Sequence, residues 1–149
     1  MDNNEASAGA RTPWHLWAVG IVALLWMGMG ALDYVMTQTR NASYLSAFTP
    51  AQLDYFYGFP AWVVAAWAIG VWGGVLGAIL LLLRRRLALW AFAASLAATV
   101  LATFHNYVLS NGLEVVGDAV SLVFTAVIVV VAVALVVYAR ALTRQRLLR

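Results

Sequence analysis

Four of the six acidic residues in this 149-residue chain, Asp33, Asp54, Glu114 and Asp118, fall at one end of its long apolar runs, and His105 and Asn106 fall with them. Carboxylates beside an imidazole and an amide can hold a cation, relay a proton or hydrogen-bond a polyol. Such groups are costly inside a bilayer, so their placement carries information. Glu114, Asp118, Ser121 and Thr125 are spaced by four, three and four residues, which puts them on one face of a helix. Ser95, Thr99, Thr103 and Asn106 repeat the pattern. Asp33 stands at a matching depth at the end of another run. The expected substrate or ion site is therefore an outward-facing cluster of Asp33, His105, Asn106, Glu114 and Asp118. A plainer reading competes with it. Glu114 and Asp118 would complement the dipole at a helix N-terminus, and the hydroxyls would bond between helices. Asp33 fits that reading least, because an acid near a helix C-terminus opposes the dipole.

Other chemistries lack the residues to carry them. There is no cysteine, which excludes disulfides, thiolate metal sites and thiol redox relays. His105 with Asp33 and Glu114 has no tight ligand spacing, so no metal site is expected. The only two histidines, His15 and His105, are expected at opposite ends of the molecule and cannot share a haem. No serine nucleophile elbow, phosphate loop or dinucleotide glycine pattern occurs. A non-enzymatic protein without a cofactor is the expectation.

The elements that must position these residues follow from composition. Hydrophobic residues make up 64% of the chain and charged residues 10%, against about 45–50% and about 25% in soluble chains. The expected fold class is all-α: a polytopic membrane protein of four transmembrane helices with one short interfacial helix. The spans are placed at about residues 14–36, 60–83, 87–109 and 113–138, inside a domain over 14–140. Each is long enough to cross an apolar layer of about 30 Å. The fourth is valine-rich, but lipid demands an internally bonded backbone, so helix is expected there too. Residues 1–13 read as a disordered cytoplasmic tail and 141–149 as a basic one. Thr49-Pro50-Ala51-Gln52 is a capping box, predicting a helix from Pro50 to about Tyr57 whose aromatic tail lies in the interface.

The second span carries three signals. Pro60 suits a first helical turn. Gly70 and Gly74, and Gly73 and Gly77, are four apart, the small-xxx-small pattern that lets helices approach closely in lipid. Arg84, Arg85 and Arg86 then end it. The net charge of +3 comes wholly from arginine, and all nine arginines but Arg40 lie on one side of the expected topology. By the positive-inside rule both termini are then cytoplasmic. The arginines flank apolar spans, so anionic lipid rather than nucleic acid is the expected contact. A weak repeat pairs Leu16-Trp17-Ala18…Asp33-Tyr34-Val35 with Leu89-Trp90-Ala91…Asn106-Tyr107-Val108, which would make the two helical hairpins parallel repeats.

Trp26, Asp33-Tyr34-Val35-Met36, Pro60-Ala-Trp62, Gly73-Gly74-x-x-Gly77 and the leucine run into Arg84–Arg86 give the chain a resemblance to small four-span bacterial inner-membrane proteins. That group is usually uncharacterised and is sometimes labelled sugar transporter. The resemblance implies the bacterial inner membrane and supplies no catalytic residues. Two function classes follow. One is an accessory or structural component packing through the Gly70–Gly77 face, against a second copy or a partner membrane protein. The other is a small oligomeric transporter of a solute or coupled ion, using the polar cluster.

Overall fold

A computed structural model describes residues 11–149. The expected tail over 1–13 lies almost entirely outside the described residues. The described residues are all-helical, in the order α1 (Trp14–Gln38), α2 (Ala42–Leu45), α3 (Pro50–Tyr57), α4 (Ala61–Leu82), α5 (Leu87–Phe104), a π-helical turn (His105–Leu109), α6 (Gly112–Val116) and α7 (Ala119–Arg144). Four stretches are long and apolar enough to cross a membrane: α1, α4, α5 with its π turn, and α7.

Local chemistry sets the boundaries. The capping box forms as expected: Thr49 Oγ1 accepts from Gln52 N at 3.2 Å, and Gln52 Oε1 accepts from Thr49 N at 3.0 Å. Pro60 lies just outside α4, as its N-cap, with its carbonyl accepting from Val63 and Val64. Helices α1, α4 and α7 end alike. The residue after each C-cap, Arg40, Arg84 or Arg146, turns left-handed at φ 55°, 58° and 57°. The residue after it bonds back to Met36, Leu80 or Leu142. This is the Schellman closure, which favours glycine. Using arginine costs about 1 kcal/mol in backbone strain.

The expected fourth span is broken. Gly117 and Asp118 separate α6 from α7. Glycine is a weak helix former, and a Cβ at Gly117 would collide with the Leu113 carbonyl. Asp118 then starts a new helix by accepting from Ser121 N at 3.2 Å. Hydrophobicity alone could not locate this break. At its far end α7 continues to Arg144, past the expected limit. Residues read as a basic tail are folded back, with Leu147 and Leu148 buried in the main core beside Leu16, Leu81, Ala88 and Phe92.

Helices α4 and α5 form the closest pair, with α1 against α4 and α7 against α5. A symmetric repeat of hairpins would pack α1 on α7 as it packs α4 on α5. Instead α1 meets α7 through side chains: His15 Nδ1 to Tyr138 OH at 2.6 Å, and Trp26 to Phe124 with centroids 6.0 Å apart. The glycines explain the tight pair. Ser95 Oγ donates to the Gly70 carbonyl at 2.5 Å. A Cβ at Gly77 would meet the Phe92 ring at 2.6 Å, whereas one at Gly28 would meet nothing within 4 Å. Gly77→Ala should therefore destabilise the bundle by about 1–3 kcal/mol through overpacking, while Gly28→Ala should be neutral or slightly stabilising. Thermal unfolding in detergent checks the contrast.

Candidate functional site

The expected cluster resolves into three local groups at the loop end of the bundle. The first is built on α1. Asp33 Oδ1 accepts from the Tyr44 hydroxyl, tying the end of α1 to α2. Tyr57 OH donates to the Thr37 carbonyl at 2.9 Å, and the Arg40 guanidinium stacks over the Tyr57 ring at 4.0 Å. One turn away, Tyr34 meets Trp67 of α4 edge-on at 4.9 Å. Burial and the Asp33 carboxylate, which accepts its proton and repels its phenolate, push the Tyr44 hydroxyl up to about 12.

The second group surrounds the π turn. His105 is buried between two aromatic rings, Phe59 at 5.8 Å and Trp62 at 5.4 Å, both edge-on. The Tyr55 hydroxyl meets Ser110 Oγ at 2.7 Å and lies 3.3 Å from Asn106 Oδ1 and 3.4 Å from the Asn106 carbonyl. Ser110 Oγ also donates to that carbonyl at 3.0 Å. A π turn widens the helix and leaves backbone groups for other partners; here Tyr55 and Ser110 supply them.

The third group runs along α7. Asp118 accepts from Ser121 N and, at 2.6 Å, from Ser121 Oγ. Those bonds hold its carboxyl below the usual carboxylate range. Thr125 Oγ1 donates to the Ser121 carbonyl at 2.9 Å and lies 3.0 Å from Tyr107 OH. Glu114 is exposed in the first turn of α6.

The structure thus pairs His105 with Asn106, whose facing atoms are 3.5 Å apart. Asp33 and Asp118 are engaged elsewhere, with Tyr44 and Ser121. Among the described residues no three His, Asp or Glu side chains come together in a way that could hold a metal ion. The α7 seam survives in part: the helix break separates Glu114, while Asp118, Ser121 and Thr125 remain linked. On α5, Ser95 turns to α4 and Thr99 sits under Gly70 at 3.1 Å from its would-be Cβ.

Sequence reasoning missed the tyrosines. Tyr44, Tyr55, Tyr57 and Tyr107 supply the hydroxyls that occupy the polar groups of this end. The aromatic run Tyr55–Phe59, expected to lie in the interface, acts as a strut from α3 to both α1 and the π turn. Its periodicity was the available signal: Tyr55 and Tyr57 are two apart and leave a short helix on different sides. Trp26 and Trp67 pack on aromatic partners, and Trp72 is 47% exposed.

Comparison with protein-family models, with curated protein sequences and with solved structures finds no match to this chain.

The Asp33–Tyr44 contact carries a pH signature. Tyr44 is ordinarily near 10.0 and is raised to about 12 in the fold. Between those values the unfolded chain has lost a proton that the folded chain keeps, so stability falls as pH rises. The contribution is complete below pH 10.0 and lost towards about 12. Tyr44→Phe should remove that part of the alkaline loss, measured by denaturation midpoints across this range.

Proposed function

We propose that this chain is a small integral membrane protein with a non-enzymatic, structural or accessory role, meeting its partner through the exposed faces of α1 and α7. One observation carries the reading. The glycine face is filled from within the chain. Gly70 and Gly73 lie against Thr99, Ala91 and Ser95, Gly74 against Met27, and Gly77 against Phe92. The partner contact expected on Gly70–Gly77 is therefore moved: that face makes the bundle itself. What stays open is apolar. Val120, Val123, Val130 and Val137 of α7 and Val22, Leu25 and Met29 of α1 are all more than half exposed. In a bilayer these faces meet lipid, a second copy or another protein.

The absence of cysteine makes this testable at single positions. Leu25→Cys and Val130→Cys should each give a discrete adduct with a short thiol-reactive cross-linker in native membranes, to a second copy or another protein. Monomer alone at both positions would overturn the reading.

A transport reading is favoured by one feature. The third and fourth apolar stretches are both irregular at the loop end, at the π turn and at Gly117–Asp118. Discontinuous helices place free backbone groups in transporter sites. On this reading the bacterial inner-membrane resemblance and its sugar-transporter label point the same way. Solute uptake into proteoliposomes that is lost in Asp33→Asn, with folding intact, would then replace the accessory role.

A further inference from the structure

The end of the bundle opposite the polar groups is basic, and the fold assembles it from two distant runs. Residues 84–86 form the turn between α4 and α5; residues 140–149 end α7 and fold back on that turn. Arg86 N donates to the Arg149 carbonyl at 2.8 Å, and Arg149 N donates to the Arg84 carbonyl at 2.7 Å. The Nε atoms of Arg84 and Arg86 donate to the Leu147 and Leu148 carbonyls at 3.4 and 3.2 Å. With both leucines buried, this segment is fixed in place. Arginines 84, 85, 86, 140, 144, 146 and 149 are thereby held at one end, while Asp33, Asp54, Glu114 and Asp118 all lie at the other.

On α7 this end presents two arginines on one open helix face. Arg140 and Arg144 are one turn apart and exposed, on a face of the helix that they share with Val137, Ala141 and Gln145. Val137 and Val133 continue the exposed apolar strip along the same helix. A paired guanidinium head above an apolar strip matches a molecule with an anionic head and an acyl tail. Guanidinium forks bind phosphate oxygens in a bidentate manner. Gathered cations repel one another unless an anion is present.

We propose that the exposed Arg140–Arg144 face of α7 is a binding site for an anionic phospholipid, with the phosphate between the two guanidinium groups and an acyl chain along Val137 and Val133. The proposal rests on the chain being membrane-embedded. Insertion is checked first and separately, by flotation with vesicles of zwitterionic phosphatidylcholine alone. The full chain, stripped of lipid in neutral detergent, is then titrated with phosphatidylglycerol or phosphatidylcholine, and bound lipid is counted by intact-complex mass measurement. Phosphatidylglycerol should bind at least about tenfold more tightly, given the gain expected per cation near an anionic headgroup. Arg140→Gln with Arg144→Gln should remove most of that preference. Arg140→Lys with Arg144→Lys should retain a reduced preference and shows that the folded bundle survives change at both positions. Arg40→Gln, at the opposite end, should leave the preference intact. Equal binding of the two lipids, or an unchanged preference in the double glutamine variant, would overturn the proposal. So would full displacement by water-soluble glycerol phosphate at the lipid's own concentration, which would make the site one for free phosphate.

Discussion

The close approach of α4 and α5 is the constraint on which the rest of the structure depends. Between apolar helices in lipid there is no hydrophobic driving force, so packing and polar contacts must hold them together. Glycines at 70, 73 and 77 remove the side chains that would keep the helices apart. The gain is a buried Ser95-to-Gly70 hydrogen bond and the seating of Phe92 against Gly77. Helix α1 packs on α4 in the same way from another side, with its Met27 over Gly74 and Leu82 of α4 over its own Gly20. Only α7 stays outside this arrangement, held by α5 and by side chains of α1.

The two ends are built differently on this central pair. At the arginine end a continuous apolar core reaches from Leu16 to Leu148, closed by backbone bonds between residues 84–86 and 149. At the loop end, connection is polar and aromatic. Helix α3 acts as a bracket, sending Tyr57 to α1 and Tyr55 to the π turn. Two of the four acids there are bound up in local contacts: Asp33 anchors α2, and Asp118 starts α7. One end is thus packed on an apolar core and cationic. The other is stitched by hydroxyls around a helix break.

Much of this was legible in the residues, and the reasons differ by feature. Span number came from hydropathy, because about twenty apolar residues have few alternatives to a helix. The α3 start came from a capping box whose two bonds are local. The glycine face was readable as a packing face but not its partner, since spacing says that a helix comes close and not which one. The α6–α7 break was hidden because Leu113–Tyr138 is apolar on both sides of Gly117. The polar cluster dispersed because Asp33 and Asp118 found nearer partners in Tyr44 and Ser121, residues that helical spacing between spans does not bring into view. Leu147 and Leu148 looked like part of a basic tail because four arginines surround them.

The central claim is that the glycine face is closed within one chain. In a protein without native cysteine, the pair Gly73→Cys and Ser95→Cys tests it most directly. A Cβ at position 73 would lie 3.5 Å from that of Ser95, within the usual range for a disulfide. Mild oxidation in membranes should give a disulfide inside one chain, seen as a reducible shift of the monomer on a denaturing gel. A reducible dimer in place of that shift would show that the glycines face another molecule, and would contradict the account.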